Sequence, residues 1–358
     1  MTHSTQEASP DLPARVRAMI GMQVGFLILI LVILILVASG MGYISAPAPD
    51  VARIVVSRLF GYLSLAADID PIVTAAIADV RLPRILTAAI VGGGLSISGA
   101  VFQAILLNPL ADPYTLGVSA GAAFGASLAL LLNFSLLGIW SVPMCAFTGA
   151  MLTLAVVLYL SSYAGGLSST SLILSGIITA SILSAGISLI KYLANEQVSM
   201  IIFWLMGSFA SRTWADVWLV LITVLFGMFV MLFWARDMNL LILGERTAAS
   251  LGIHPQRVIC ILLITASLVT AVCVSISGII GFVGLLVPHM VRTITGPDNR
   301  RLIPVACLTG AILLLIADTV TRAVLPNEIP IGVITALTGG PFFCYVLRKR
   351  QFSQAGWK

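Results

Sequence analysis

Between Leu82 and Leu107 the chain carries a single charged side chain, Arg84, in an otherwise apolar run. A run of that length suits an α-helix crossing a bilayer, where only the helix's own ladder can satisfy backbone N–H and C=O groups. Gly92, Gly93, Gly94, Ser96, Ser98 and Gly99 give the helix a small-residue surface. Small residues let helix backbones approach closely where lipid supplies no hydrophobic drive. The run opens on a basic clamp, Arg81-Leu82-Pro83-Arg84, and closes on Asn108-Pro109-Leu110-Ala111-Asp112-Pro113. The two prolines end one helix and start another, rich in glycine and alanine to Gly125.

Other apolar runs follow the same pattern. The chain is 59% hydrophobic and 9% charged, with a mean hydropathy of +1.09, whereas a soluble domain carries about a quarter charged residues. These figures define an all-α integral membrane protein with about ten transmembrane helices. Spans are expected near 19–40, 83–106, 115–133, 139–160, 170–193, 214–235, 256–276, 279–295, 302–322 and 330–347. The first could be a signal peptide ending at Val37-Ala38-Ser39-Gly40, but its length favours a retained helix. Residues 44–80 hold four aspartates and are too polar to span, so they form an outside loop with a short helix over Val51 to Phe60. Val198 to Ala210 is apolar but short, a partial or re-entrant helix. The organisation is an N-terminal tail 1–18, one transmembrane domain 19–347 and a C-terminal tail 348–358.

Ten spans place both termini on one side. With the N terminus inside, most basic residues, among them Arg15, Arg236, Arg300 and Arg348, fall in the cytoplasm, while acidic and basic residues balance outside. That asymmetry obeys the positive-inside rule. It accounts for the net charge of +5 without a nucleic-acid partner. Both termini are then expected to be cytoplasmic, with membrane lipid as the surroundings of the spans.

Reactive chemistry is not expected of this chain. Its five cysteines lie in apolar stretches with no CxxC and no Cys/His ligand spacing, which suits packing rather than metal or disulfide. The three histidines are scattered, and no nucleophile–base pair stands out. A P-loop needs Gly-Lys followed by Ser or Thr, and none of Lys191, Lys349 and Lys358 follows a glycine. No catalytic residue, metal or bound cofactor is expected, and any ATP must be used by a separate chain.

Four elements stand in order: Arg81-Leu-Pro-Arg84, Ser98-Gly-Ala-Val-Phe-Gln103, Asn108-Pro-Leu-Ala-Asp-Pro113 and Leu116-Gly-Val-Ser-Ala-Gly-Ala122. Together they closely resemble the signature of FecCD-type permeases, the membrane subunits of ABC importers for ferric siderophores, haem and vitamin B12. The resemblance runs to about Leu347. It implies a vitamin-B12-permease-like bundle and a homodimer. The partners it implies are two cytosolic ATPases, which use ATP and Mg, and an extracytoplasmic substrate-binding protein. Transport would proceed by alternating access.

The resemblance also implies roles for particular residues. Arg81, Arg84 and Arg322 would dock acidic residues of the binding protein through bidentate pairs. The plainer alternatives are snorkelling for Arg84 and an intrahelical pair with Asp318 for Arg322. Asp237 to His254 would couple to the ATPase through Gly244, Glu245, Arg246, Ala249, Leu251 and Gly252, with a short helix over Thr247 to Leu251. The alternative is an amphipathic helix lying on the membrane. The pathway would use Ser171, Ser175 and Thr179, continued by Ser184 and Ser188, with Gly165-Gly166 as a flexible gate. Trp204 and Met206 lie near the outer vestibule, and Gly332, Thr335, Thr338 and Gly339-Gly340-Pro341 suggest a distorted pathway helix. Serines bonded to their own helix explain the polar stripe equally well. A channel would need rings of charge or carbonyls, and none is evident. A secondary transporter would need buried carboxylates, and Asp318, the one candidate, is expected to be occupied by Arg322.

Overall fold

The computed structural model describes residues 14–42, 46–163, 166–323 and 328–354. Those residues form α-helices joined by turns and short loops, with no strand among them. Among the described residues seven helices are long and apolar enough to cross a bilayer. They are α1 (Ala14–Gly40), α4 (Leu82–Ile105), α6 (Ser141–Tyr163), α7 (Ser169–Leu193), α9 (Trp214–Phe233), α12 (Pro255–Ser277) and α14 (Asn299–Ala323). Three further helices occupy the remaining expected spans: α5 (Val118–Leu131), α13 (Val283–Thr295) and α15 (Ile331–Gln354).

The bundle is built around α4. Nearly all of its side chains are buried, and α9, α12, α13 and α14 pack on it. Its small residues are what permit this. A Cβ at Gly92 would lie 2.3 Å from the carbonyl oxygen of Gly310 on α14, and one at Gly99 would lie 1.8 Å from that of Gly284 on α13. At those crossings backbone meets backbone, and no larger side chain fits. The outer helices show the reverse. Leu174, Ile178 and Ile182 on α7 and Trp218, Ile222 and Phe229 on α9 are exposed, a continuous apolar surface that only lipid or protein can cover.

Two expected spans are shorter than the sequence suggests. α5 begins at Val118 and α13 at Val283, because the segments before them enter the bundle without being helical. Tyr114 Oη donates to the Ile280 carbonyl, Gln103 Nε2 donates to the Leu285 carbonyl at 3.1 Å, and Pro113 abuts Gly284. Irregular backbone is tolerated at such a place when protein groups satisfy it. α8 (Val198–Leu205) likewise stops before the expected Ala210, at Gly207 with φ +73°.

The segment before α4 holds more helix than expected. α2 (Ala48–Phe60) begins three residues early and buries Val51, Ile54 and Val55. α3 (Pro71–Ala75) starts where the Asp70 carboxylate accepts from the Ile72 amide at 2.8 Å, and a π-helical turn, Ala76–Arg81, joins it to α4. At the other terminus α15 runs to Gln354 rather than ending near 347. Arginine, lysine and glutamine, which fill much of this stretch, are good helix formers. α1 opens at Ala14, inside the tail expected over 1–18.

Gly99→Ala is expected to lower the thermal stability of the purified protein, by about 1–3 kcal/mol on the scale of an overpacked core. Gly21→Ala on α1, where a Cβ meets nothing within 4 Å, is expected to leave the melting temperature unchanged. Equal melting curves would show that the α4–α13 crossing can give way.

Candidate functional site

At one end of the bundle three charged groups from distant parts of the chain converge. Arg84, in the first turn of α4, forks onto Asp318 of α14: Nε lies 3.1 Å and Nη2 3.0 Å from Oδ1. Its Nη1 reaches Glu328 at 3.0 and 3.1 Å. Arg84 is 9% exposed and Asp318 1%, so the fork is a buried ion pair with a second, half-exposed carboxylate at its rim. The expected Arg322–Asp318 pair does not form. Asp318 is oriented into the α4–α14 crossing, where Arg84 approaches it bidentately, and Arg322 turns the other way.

Arg322 and Arg81 instead serve α1. Arg322 donates from Nη1 to the Met41 carbonyl at 2.7 Å and from Nη2 to the Ala38 carbonyl at 2.8 Å. Arg81 donates from Nη1 to the Ser39 carbonyl at 3.1 Å. The last carbonyls of a helix have no intrahelical donor, and cations are favoured there. Two guanidiniums thus finish a helix whose main neighbour in the bundle is α14.

The same end holds the α8 junction. The Ile331 amide donates to the Gly207 carbonyl at 3.2 Å and the Gly332 amide to the Met206 carbonyl at 3.0 Å. The Ser208 amide reaches the Ser277 carbonyl at 2.8 Å. These backbone bonds tie the end of α8 to the start of α15 and the end of α12, with Trp204 partly buried in the corner. A Cβ at Gly332 would lie 2.4 Å from the Met206 oxygen, so the residue is small for packing at this joint.

The polar stripe of α7 divides. Ser175 and Thr179 are buried beside Gly176, which abuts Thr115 and Leu116, whereas Ser184 and Ser188 are exposed. Thr179 Oγ1 donates to the Ser175 carbonyl at 2.8 Å and Ser188 Oγ to the Ser184 carbonyl at 3.0 Å. Ser171 lies in the first turn, where its amide donates to the capping Ser168 Oγ at 3.2 Å. Gly166 has φ +102° and accepts from Ser161 Oγ at 3.1 Å. Gly165 lies outside the described residues.

At the opposite end, α10 (Ala235–Leu241) and α11 (Glu245–Ser250) form a short bent pair. Gly244 (φ +95°) and Gly252 (φ +89°) bound α11 in conformations that favour glycine. The helix covers Glu245–Ser250 rather than Thr247 to Leu251. Ala248 is buried, while Glu245, Arg246, Ala249 and Leu251 are exposed. Leu243, also exposed, adds to the apolar surface of Leu251.

Sequence reasoning missed what holds this pair in place. The Asn239 side chain, on α10, donates from Nδ2 to Asp298 Oδ1 at 2.7 Å. Its Oδ1 accepts from the Asn299 amide at 3.0 Å and from Asn299 Nδ2 at 2.8 Å. The amide is clasped at both ends by the turn that starts α14. Gly296-Pro297-Asp298 marks a turn in the sequence, but nothing local joins it to Asn239. Among the described residues no group of three or more His, Cys, Asp or Glu could hold a metal.

A helical bundle of membrane-length spans around a small-residue centre, with a buried charge fork at one end and a short exposed helix at the other, is the architecture of a polytopic membrane permease. The chain belongs to the FecCD transport family, whose model matches residues 28–349. It is 42% identical over 321 residues to an uncharacterized ABC transporter permease protein, YvrB, of Bacillus subtilis, covering 88% of this chain and 90% of that one. It is 44% identical over 275 residues to the cobalamin import system permease protein BtuC of Halobacterium salinarum, covering 77% and 74%. A solved metal-chelate type ABC transporter in an inward-facing conformation matches with TM-score 0.80 and 36% identity, covering 91% of this chain and 98% of that one. Other relatives are named for molybdate, hemin and Fe(3+)-citrate. The chain is therefore a multi-pass ABC permease subunit, with ATP hydrolysis in a separate subunit.

Removing one partner of a buried ion pair strands the other, at a cost of about 3–5 kcal/mol. Arg84→Leu and Asp318→Leu are each expected to lower the melting temperature in detergent sharply, and the double variant to recover much of the loss. A double variant whose loss equals the sum of the two single losses would mean that the two side chains act independently.

Proposed function

We propose that the chain is the permease of an ATP-driven importer for an iron chelate, haem or corrinoid, working as a homodimer by alternating access. Two ABC ATPases bind at the α10–α11 end, which lies in the cytoplasm with both termini. A binding protein delivers cargo at the arginine end. The observation that carries this reading is the α10–α11 pair: a short exposed helix with apolar and charged residues, bounded by glycines and clasped to the base of α14. ATPase closure against Glu245, Arg246, Ala249 and Leu251 would pull on Asn239 and so on α14, whose far end holds Asp318. A pathway between two copies is supported by α7, whose Ser184 and Ser188 face out of the bundle.

Docking by Arg81, Arg84 and Arg322 takes a more specific form here, because all three are engaged within the chain. Acidic residues of the binding protein would meet these guanidiniums in competition with Glu328 and the α1 carbonyls. Docking would then be linked to the seating of α1.

The test is uptake by the transporter purified with its own ATPase and binding protein and placed in liposomes. Labelled ferric siderophores, haem, cobalamin and molybdate are compared. One iron chelate, haem or corrinoid should accumulate, and only with ATP and binding protein. Accumulation of molybdate alone would refute the cargo class, and flux without either partner would refute the importer. Arg81→Glu should weaken binding-protein association about tenfold or more, the scale of one charge-assisted pair. Unchanged association in a folded variant would remove Arg81 from the docking site.

The clasp gives a second test. Asn239→Asp sets a carboxylate against Asp298 and should leave ATP hydrolysis running while uptake falls. Adding Asp298→Asn places an amide donor opposite that new carboxylate and should restore uptake. If uptake per ATP is the same in all three proteins, the coupling does not run through Asn239.

A further inference from the structure

Beyond the transport machinery, a cavity of about 840 Å³ opens at the arginine end. It lies between the first turns of α6 and α9, with α8 along one side and the last turn of α12 behind it. Trp140, Val142, Phe203 and Trp204 supply apolar wall, and Ser211, Arg212 and Ser275 supply polar rim. Further along the two flanking helices, Met144 on α6 and Trp218 and Ile222 on α9 are exposed apolar side chains. The pocket thus sets a polar rim, at the ends of these helices, beside their exposed apolar faces. Tryptophans at that level are typical of a membrane interface.

Arg212 is the unusual group. Its Nε donates to the Ala210 carbonyl at 3.1 Å and its Nη1 to the Ile276 carbonyl at 2.8 Å. Among the described residues no carboxylate lies within ion-pair distance of it, and its Nη2 has no acceptor. Asp216 also lines the cavity, but its Oδ2 accepts from the Thr213 amide at 2.7 Å and from Thr213 Oγ1 at 2.8 Å. Burial pushes the Arg212 guanidinium below its ordinary range, and Asp216 offsets this only in part. A half-buried cation with an N–H edge open to a cavity is placed to take one anionic acceptor there.

We propose that this cavity is a phospholipid site, with a lipid phosphate on Arg212 and the acyl chains running out along α6 and α9. The lipid would fill the gap between two helices whose first turns stand apart there. It would also supply the acceptor that the chain itself does not.

The complex is purified in mild detergent, and phosphorus retained per permease is measured with its lipid species by native mass spectrometry. Wild type and Arg212→Lys are expected to retain phospholipid. Arg212→Gln should bind it roughly tenfold more weakly, the scale of one charge-assisted hydrogen bond. Val142→Phe narrows the cavity while leaving the Arg212 carbonyl bonds in place, and should lose the lipid too. Melting temperature follows folding in each variant. In delipidated wild type, phosphatidylglycerol in mixed micelles should raise that temperature, while inorganic phosphate and diacylglycerol should not. Equal lipid retention in folded Arg212→Gln and Val142→Phe would overturn the proposal. So would the same stabilisation by inorganic phosphate, which would mark a soluble-anion site, or displacement of the lipid by transported cargo, which would mark a stretch of the pathway.

Discussion

Backbone groups away from water must find partners inside the protein, and much of this structure follows from how that demand is met at helix ends. Along a helix the demand is met locally. At each end several amides or carbonyls are left over, and a bundle with many ends inside or near a membrane has many to satisfy. The solutions differ. α1 ends on two guanidiniums, from Arg81 and Arg322. α12 ends on Arg212 and on the amide of Ser208. The irregular segment after α12 receives Tyr114, and the start of α13 receives Gln103. α15 begins by donating its first amides to the carbonyls after α8.

This pattern assigns the charges. A cation at the end of a membrane helix is commonly read as facing water or a partner, yet here arginines satisfy the backbone of neighbouring helices. Arg84 is different because it meets carboxylates. An ion pair as buried as Arg84–Asp318 is weak evidence for stability, since desolvation offsets much of the attraction. Its value is register: one fork fixes the rotation of α14 against α4 at the point where Glu328 also arrives. The glycine crossings at Gly92 and Gly99 then need no polar help, because close backbone contact alone sets the spacing there.

What the sequence made legible follows from which interactions are local. Membrane spans depend on runs of apolar residues, so the ten expected positions each hold a helix. Proline and glycine punctuation correctly marked Asn108–Pro113 as a break and Gly252 as the stop of a short helix, whose start at Glu245 lies two residues before the expected Thr247. The start of α5 was misjudged because Tyr114 and Pro113 are held by residues near 280 and 284, and hydropathy has no access to that contact. The pairing of Asp318 was misjudged for the same reason. A partner four residues away is visible in the sequence, and one 234 residues away is not. α3 was legible in principle, since Asp70-Pro71 is a cap followed by a first-turn proline. Asn239 had no signal at all: an asparagine between apolar residues gives no hint of the turn that clasps it.

Polar ties at the ends and small-residue contacts in the middle also decide how such a bundle can move. A helix held by dispersion along its length can slide or tilt at modest cost, while its hydrogen-bonded ends act as joints that break only when a replacement partner is offered. α14 has such a joint at each end, Asn239 on the Asp298–Asn299 turn at its base and Arg84 on Asp318 near its top. Its 25 residues span about 37 Å at the α-helical rise of about 1.5 Å per residue, and Gly310 lies between the two joints against Gly92. Glu328 supplies the complement at the top joint, a half-exposed carboxylate already in contact with Arg84, so that the guanidinium can change its share between two carboxylates without ever being left unpaired.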